Sequence, residues 1–400
     1  MKIINFKNIF QAEAVLKKIG VDPYGIDAML PKSMNINIFL DNLPCKTANI
    51  IKQEMLSVGG DAAVNRGSIA CSIAATDALI MGTIKQVAAF SRKIEKQPFG
   101  LNFIARNIRE FIDNICQQSY VLKTSRREIT LGRKTQIMGI LNVTPDSFSD
   151  GGLFSDPQKA IDHGLQMIDQ GADIIDIGGE STRPGAASVS EADELKRVIP
   201  VISELARQSN IPISIDTSKA KIAAEAIAAG AEIVNDISAG KDIKMMQIVK
   251  ESQAAFILMH MRGEPQNMQK GDLTYRDLTG EITSFLKNKI EKAIEAGIEK
   301  ECLIVDPGIG FGKTTEDNLR IINNLRELKI LGLPIMIGAS RKAFLGKITG
   351  GEPQERIEGT AAANVAAIMN GCHIIRIHDI AFMKKIAAVT DEILHAGEEI

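Results

Sequence analysis

Gln136–Gly152 reads QIMGILNVTPDSFSDGG and joins an apolar run to a polar loop. Ile137–Leu141 is apolar throughout, and the chain turns polar at Asn142. The loop that follows contains hydroxyl and carboxylate side chains, and it ends at the flexible pair Gly151 and Gly152. The pattern is typical of a buried strand that ends in a functional loop, although an ordinary strand-to-helix connection is the alternative.

The same pattern recurs to the end of the chain, where eight short apolar runs alternate with segments of helical spacing. The runs are Ile137–Leu141, Ile174–Ile177, Ile213–Ile215, Ile233–Val234, Ala254–Met259, Leu303–Val305, Ile335–Ile337 and Ile374–Ile377. The helical segments include Pro157–Gln170, Glu191–Ser209, Ser218–Ala229, Leu278–Ala296, Thr315–Leu331 and Arg356–Asn370. Runs that are apolar on both faces indicate parallel strands covered by helices. Eight such units predict an α/β fold, a (β/α)8 TIM barrel over 136–400. An open doubly wound sheet is the alternative, but it would not need eight units.

Residues 1–117 precede this repeat and have a mixed character. Helical spacing and alternation predict helices over Asn8–Ile19, Thr47–Val58 and Pro98–Cys116, and a strand over Met34–Leu40. Gly59–Asn65 is interpreted as a helix stop followed by a turn. We therefore predict a small α+β domain of unknown role over 1–117. A linker with a capping hairpin is expected over 118–135.

The composition argues against several classes of protein. With 45% hydrophobic residues and a net charge of −2, the chain is typical of a globular protein without global attraction to nucleic acid or an anionic membrane. Its five cysteines have no C-x-x-C spacing, which argues against a disulfide framework and a structural zinc site. No window is apolar over the ~20 residues that a spanning helix needs, and the first residues do not resemble a signal peptide. We expect a cytoplasmic protein with no nucleic-acid or membrane partner.

Each apolar run has polar residues at or near its carboxyl end, and in a barrel these strand ends meet on one face. The polar residues are Asn142, Asp176, Asp216, Asn235, Asp236, His260, Asp306, Ser340, Arg341, Lys342, Arg376 and His378. Any one of them could be a buried polar group or a loop cap. Together they combine carboxylates, amides and cations without a Ser-His-Asp order or a metal-ligand cluster. The set favours a site that binds a polar heterocycle and an anion.

The segment Pro307–Thr314 looks at first like a phosphate-binding loop. It ends in Gly-Lys-Thr, but Pro307 stands where the Walker pattern requires glycine. A nucleotide-binding loop of that type is therefore excluded.

Seven motifs, in this order along the chain, resemble the dihydropteroate synthase family. They are Ile140–Gly152 (ILNVTPDSFSDGG), Gly178–Gly185 (GGESTRPG), Ile215–Thr217 (IDT), Val234–Asp236 (VND), Asp306–Phe311 (DPGIGF), Ser340–Lys342 (SRK) and Arg376–Asp379 (RIHD). The resemblance covers 136–400 and does not extend to 1–117. It implies condensation of p-aminobenzoate with 6-hydroxymethyl-7,8-dihydropterin diphosphate, giving 7,8-dihydropteroate and pyrophosphate for folate biosynthesis.

The resemblance also implies a role for each matching residue. The pterin ring would contact Asp216, Asn235, Asp306 and Lys342. The diphosphate would contact Asn142, Thr182, Arg183, Arg376 and His378, and Asn142 would also bind Mg2+. The aminobenzoate would contact Phe148, Thr182, Pro184, Ser340 and Lys342. The catalytic residues would be Arg376, His378 and Lys342.

Two other functions stay open at this point. A corrinoid-dependent methyltransferase barrel would share Asp216, Asn235 and Asp306, but it would not need the residues that surround the diphosphate. A pterin-binding protein without activity would have lost cation or metal-side positions, and none is lost in this sequence. A homodimer is a further expectation, because late barrel helices often form dimer interfaces. The resemblance also leads us to expect sulfonamide sensitivity.

Overall fold

The computed structural model describes residues 1–6, 8–144, 157–181, 189–265 and 267–396. The chain divides into two units, one from Met1 to Gln117 with the residues from His395 on, and one over Gln118–Leu394. Four of the predicted site residues lie outside the described residues. They are Phe148, Thr182, Arg183 and Pro184.

The smaller unit packs helices against an antiparallel sheet. Its strands are β1 (Asn35–Pro44), β2 (Asp61–Val64) and β3 (Ala75–Thr83), and its helices are α1 (Ile9–Ile19), α2 (Pro23–Met29), α3 (Cys45–Ser57), α4 (Ile84–Ile94) and α5 (Leu101–Cys116). The strand order is β1-β3-β2. Alternate residues of the strands face the helices, and Ile51, Met55, Ile80, Phe90 and Leu101 are fully buried there. The predicted α+β character of this region is confirmed.

The segment Gly59–Asn65 differs from its predicted form. Gly59 follows α3 with a φ of 79°, as a helix stop requires. The residues after it are not a turn, because Asp61–Val64 forms β2 and pairs with β3. Four residues are too few to show alternation in the sequence, so β2 can be recognised only from its pairing with β3.

The larger unit begins with a hairpin and continues with parallel strands. Among the described residues, the hairpin strands are β4 (Tyr120–Lys123) and β5 (Glu128–Leu131), and the parallel strands are β6 (Gln136–Asn142), β7 (Ile174–Gly178), β8 (Ile213–Asp216), β9 (Ile233–Asp236), β10 (Ala255–Met259), β11 (Leu303–Asp306), β12 (Met336–Ile337) and β13 (Ile374–Ile377). The parallel strands follow the order β11-β10-β9-β8-β7-β6-β13-β12. A parallel bridge between Val305 and Ile335 joins the two outer strands. The sheet is closed, so the predicted TIM barrel is confirmed and the open sheet is excluded.

Helices on the outside connect the barrel strands. Those within the described ranges are α6 (Pro157–Asp169), α7 (Glu191–Gln208), α8 (Ala220–Ala229), α9 (Ile243–Ser252), α10 (Leu278–Glu295), α11 (Thr315–Asn323), α12 (Ala343–Thr349), α13 (Ile357–Met369) and α14 (Ile380–His395). The helix predicted over Thr315–Leu331 ends at Asn323, and Leu325–Leu331 continues as a 3-10 helix. In the part of the chain that the structure describes, no helix is both long and apolar enough to cross a membrane.

The hairpin closes the amino-terminal end of the barrel. Tyr120, Leu122 and Leu131 pack against interior residues such as Met138 and Ile174, which lie at the start of their strands. The buried side chains form a continuous apolar layer across this end. The open end, where ligands can enter, is therefore the one at the carboxyl ends of the strands.

Candidate active site

Five predicted residues from separate parts of the chain line one small cavity at the carboxyl ends of the strands. They are Asp216, Asn235, Asp306, Lys342 and Arg376. Apolar side chains, including Ile237, Met259, Ile309 and Phe311, complete its walls. Hydrogen-bonding groups on an apolar floor are the features that a flat, polar ring system requires of a binding site.

The strand register explains why these residues meet. Asn142 on β6 lies opposite Gly178 on β7, which lies opposite Asp216 on β8, and Asp216 lies opposite Asn235 on β9. Gly178 has no side chain, and a Cβ atom placed there would be 3.7 Å from Asn142 Oδ1 and 3.6 Å from Asp216 Cβ. The Asn142 amide and the Asp216 carboxylate therefore face the same mouth of the barrel.

Arg376 on β13 connects two acidic residues of this end, Asp176 and Asp216. Its Nε donates to Asp176 Oδ2 at 2.6 Å, and its Nη2 donates to Asp216 Oδ2 at 2.7 Å. Asp176 Oδ2 also accepts a hydrogen bond of 3.0 Å from Asn235 Nδ2. Burial opposes the charge of the guanidinium, but the two carboxylates raise the pKa of Arg376. The side chain is thus fixed in orientation and kept cationic.

Asp176 belongs to the predicted set of strand-end residues, but the resemblance implies no substrate contact for it. It is fully buried and joins Arg376 to Asn235 through a single carboxylate oxygen. Its place as the one polar residue within the run Ile174–Ile177 was a signal, but its partners are 59 and 200 residues away along the chain. No local pattern could therefore show that Asp176 holds Arg376 and Asn235, two predicted substrate-binding residues, in place.

Asp216 is buried and only partly satisfied. Its Oδ2 atom is paired with Arg376, whereas Oδ1 is buried without a hydrogen-bond partner among the described residues. Burial raises the pKa of Asp216 to about 7, although the charge of Arg376 acts in the opposite direction. An unmatched buried acceptor in a cavity is what a ligand with an N–H donor would complete.

The loop after Asp306 holds its carboxylate in place. Oδ1 accepts a hydrogen bond of 2.7 Å from the backbone N–H of Gly308, which has a φ of 70°. A Cβ atom on Gly308 would lie only 1.9 Å from the His260 carbonyl oxygen, so only glycine fits at this turn. Burial raises the pKa of Asp306, and the Gly308 N–H and the nearby Lys342 charge oppose that shift.

Lys342 precedes α12 and extends along the same loop. Its Nζ atom is 4.1 Å from the centre of the Phe311 ring, a cation–π contact. A Cβ atom on Gly310 would lie 3.1 Å from Lys342 Cδ, so this glycine leaves room for the lysine stem. The ammonium group is thereby held at the cavity beside Asp306.

Ser340 and His378 form a second polar pair at this end of the barrel. Ser340 Oγ is 2.9 Å from His378 Nδ1, and it also accepts the backbone N–H of His378 at 3.2 Å. The loops that carry them are joined again by Arg341, whose Nε donates to Asp379 Oδ2 at 3.1 Å. The Ser-Arg-Lys and Arg-Ile-His-Asp motifs therefore act as one rigid group.

His260 and Lys313 form a buried pair beneath the Asp306 loop. Lys313 Nζ is 3.0 Å from His260 Nδ1 and 3.1 Å from the Phe311 carbonyl oxygen. Burial and the Lys313 charge lower the pKa of His260 to about 3, so its ring is neutral at pH 7. Burial also lowers the pKa of Lys313 to about 7. The Gly-Lys-Thr segment that resembles a phosphate loop thus serves to support the wall of the cavity.

A sequence profile of a protein family named pterin binding enzyme matches residues 138–378. The match covers more than half of the chain and contains every cavity residue described above. A closed parallel barrel with hydrogen-bonding residues at its carboxyl end, and this match, define the class: a pterin-binding barrel enzyme.

Similarity to known proteins identifies the family within this class. The chain is 45% identical over 281 residues to the dihydropteroate synthase of Bacillus subtilis (strain 168), a match that covers 70% of this chain and 96% of that protein. The structure of Xanthomonas albilineans dihydropteroate synthase with 4-aminobenzoic acid aligns with a TM-score of 0.64 and 41% identity, covering 69% of this chain and 98% of that one. The chain belongs to the dihydropteroate synthase family, as the seven motifs predict.

One further relative includes the smaller unit. A probable bifunctional folylpolyglutamate synthase/dihydropteroate synthase of Halobacterium salinarum is 36% identical over 378 residues. That match covers 94% of this chain and 45% of that protein. Because only a small fraction of the chain lies outside the match, it extends well into residues 1–117. The smaller unit is therefore not peculiar to this chain.

Proposed function

We propose that the barrel condenses p-aminobenzoate with 6-hydroxymethyl-7,8-dihydropterin diphosphate, and releases 7,8-dihydropteroate and pyrophosphate. The observation that carries the proposal is the cavity in which Asp216, Asn235 and Asp306 converge, with Asp216 Oδ1 lacking a partner among the described residues. A pterin ring supplies adjacent N–H donors, which are the groups that such buried carboxylates need.

Each polar group of the cavity then has a role toward the ring. Asp306 accepts the donor pair of ring N3–H and the 2-amino group, and Asp216 accepts a further ring N–H. Asn235 uses its Nδ2 on Asp176, which leaves its carbonyl oxygen for the ring. Lys342 donates to the pterin oxygen, while its apolar stem lies beside the aminobenzoate.

The diphosphate is assigned to a second set of residues, one of which, Arg376, also lines the ring cavity. They are Asn142, Thr182, Arg183, Arg376 and His378. The guanidinium of Arg376 has five N–H groups. One of them, on Nε, donates to Asp176, and one on Nη2 donates to Asp216, so the others remain for phosphate oxygens. Thr182 and Arg183 lie outside the described residues and are assigned from the sequence motif alone.

Magnesium is proposed as the metal, with Asn142 as its protein ligand. Among the described residues, no three His, Cys, Asp or Glu side chains are grouped to hold a metal ion. A single amide oxygen at the mouth still fits Mg2+, because this ion keeps several waters and binds substrate phosphates with few protein ligands. When bound, it neutralises charge on the diphosphate.

The chain's own residues contribute mainly by binding and charge stabilisation. The C–O bond to pyrophosphate breaks first, and the electron-rich dihydropterin carries the positive charge that remains. Arg376 and His378 stabilise the negative charge on the leaving group, and Ser340 orients the His378 ring. The aromatic amine attacks the exocyclic carbon and then loses a proton, so no strong general base is needed.

The aminobenzoate is assigned to the entrance of the site. Its contacts are Phe148, Thr182, Pro184, Ser340 and Lys342. The structure of the Xanthomonas albilineans relative with 4-aminobenzoic acid supports this substrate. Ser340 and Lys342 are held on the rigid group formed with His378 and Asp379.

The test uses the purified full-length chain with both substrates. We expect dihydropteroate formation that EDTA abolishes and Mg2+ restores. Lys342→Ala should abolish the activity, whereas Lys347→Ala, which removes an exposed lysine from the helix that Lys342 precedes, should leave it unchanged. Pterin binding without product would indicate a binding protein, and binding of a corrinoid would indicate a methyltransferase.

A homodimer and a cytoplasmic location stay predictions. Exposed Phe382, Val389 and Ile393 lie on α14 at spacings of seven and four residues, which puts them on one face. This face supports self-association. Light scattering on Phe382→Asp and on the parent chain would test it, since the parent should have twice the mass of the variant.

A further inference from the structure

Lys219 is a partly buried cation that the roles above do not use. It precedes α8 and joins three groups through its Nζ atom. The ammonium donates to Glu180 Oε2 at 2.6 Å, to Glu194 Oε2 at 2.6 Å and to the Val189 carbonyl oxygen at 2.8 Å. An ammonium has three N–H donors, so all of them are committed.

The three acceptors of Lys219 belong to one stretch of chain, the connection from β7 to α7. Glu180 follows β7, whereas Val189 and Glu194 lie just before and within the first turns of α7. Glu180 also accepts the backbone N–H of Val189 at 3.2 Å through Oε1. The two ends of the connection are thus tied to each other and to Lys219.

Glu194 joins this cluster to the wall of the pterin cavity. Its side chain is 1% exposed, and its Oε1 atom accepts a hydrogen bond of 2.9 Å from Thr217, the residue after Asp216. A Cβ atom on Gly179 would be 2.8 Å from Glu194 Cγ, so a larger residue there would displace the carboxylate. The cluster therefore fixes the connection relative to β8.

We propose that Lys219 is a positioning residue for the aminobenzoate, because it fixes both ends of the connection that contains Thr182 and Pro184. The inference rests on the proposed function, which assigns those two residues to this substrate. Residues that must meet a substrate precisely gain from a scaffold that holds the ends of their segment. Lys219 itself touches no substrate in this proposal.

An exposed ion pair between α7 and α8 provides a matched control. Lys221 Nζ on α8 is 3.7 Å from Glu191 Oε2 on α7, and these side chains are 64% and 50% exposed. Like the pair of Lys219 and Glu194, this pair joins the start of α8 to α7, but it lies at the solvent and has no contact with Val189 in the described structure. Lys221→Met therefore removes a lysine and a helix-to-helix ion pair, but not the tie on the connection.

The experiment compares steady-state kinetics of the full chain with Lys219→Met and Lys221→Met. We expect Lys219→Met to raise KM for aminobenzoate about tenfold, with Kd for the pterin diphosphate changed by less than about twofold. Lys221→Met should match the parent chain. Lys219→Met leaves Glu194 buried without its cation and could prevent folding. The double variant Lys219→Met with Glu194→Gln removes that charge and should show the same shift in KM.

Hydrogen exchange separates this inference from the proposed function. The amide of Val189 should exchange faster in both Lys219 variants than in Lys221→Met, whether or not the protein makes dihydropteroate. A parent chain without activity would overturn the proposed function alone. An unchanged KM for aminobenzoate in an active double variant, or an equal change in Lys221→Met, would overturn the role of Lys219.

Discussion

The two ends of the barrel bury charge in different ways. At the closed end, both carboxylate oxygens of Glu232 are satisfied: Arg127 donates to Oε2 at 2.9 Å and to Oε1 at 2.6 Å, and Thr124 donates at 2.7 Å. At the open end, Asp176 and Asp216 share Arg376, yet each has one buried oxygen without a partner among the described residues. Such an unmatched oxygen costs about 1–3 kcal/mol.

This difference separates stability from binding. The closed end uses its charges to hold the hairpin, whereas the open end keeps acceptors ready for a ligand and forgoes the stability that partners would give. Replacing a charged group should therefore have different consequences at the two ends. At the open end it should remove binding, and at the closed end it should remove stability.

The largest effect is expected for Asp306→Asn at the open end. An amide would place an N–H group against the ring donors, so affinity for the pterin diphosphate should fall about 1,000-fold. The midpoint of thermal unfolding should stay equal or rise, because a desolvated carboxylate is removed. Calorimetric titration and thermal unfolding measure the two quantities. Unaltered pterin affinity would contradict the assignment of the ring.

Arg127→Met should have the reverse effect at the closed end. Glu232 is only 2% exposed and would lose its cation, so the free energy of unfolding should fall by about 3 kcal/mol. KM and kcat at a temperature well below unfolding should not change. Urea unfolding gives the first quantity, and Arg126→Met, the exposed neighbour, serves as the control. Equal stability of the two variants would mean that this ion pair does not secure the hairpin.

Much of the barrel could be predicted because its strands are apolar on both faces. Each observed strand from β6 to β13 overlaps a predicted run, even β12, which has two residues, Met336 and Ile337. The same local signals could not show where the helix after Thr314 becomes a 3-10 helix, since apolar spacing continues through Leu325, Leu328 and Leu331. The sequence pattern thus determined the fold better than the ends of its elements.

The site could be predicted in part, for a physical reason. Strand-end positions are visible in sequence, so Asp216, Asn235, Asp306 and Arg376 could be placed at one mouth. Which of them contact each other depends on side-chain geometry across the barrel. The sequence assigned Arg376 to the diphosphate alone, whereas the structure also pairs it with Asp176 and Asp216. The Lys219 cluster gave no signal, because its partners lie in another βα unit.

Asp176→Asn should give an intermediate effect at the open end. The change weakens the hydrogen bonds to Arg376 and Asn235 without removing a substrate contact. We expect about a tenfold loss in pterin affinity, in line with about 1.5 kcal/mol for one charged hydrogen bond. Asp162→Asn on the exposed face of α6 is the control for calorimetric titration. A loss as large as that of Asp306→Asn would mean that Asp176 contacts the ring itself.

The last prediction concerns the pH dependence of stability at the open end. Burial raises the pKa of Asp216 from 3.8 to about 7, so between these values the folded chain holds a proton that the unfolded chain has released. This group therefore stabilises the fold below pH 3.8, and its contribution declines as the pH rises to about 7. Asp216→Asn removes the dependence, so the variant should gain stability relative to the parent chain across that window and no further above it.

Urea unfolding of both proteins at several pH values measures this difference. The ligand-free proteins must be compared, because a bound pterin would supply the missing donor to Asp216. A difference that stays constant across the window would mean that Arg376 fully offsets the burial of Asp216. The open end would then balance its buried charge in the same way as Arg127 and Glu232 do at the closed end, and the contrast between the two ends would rest on the unmatched oxygens alone.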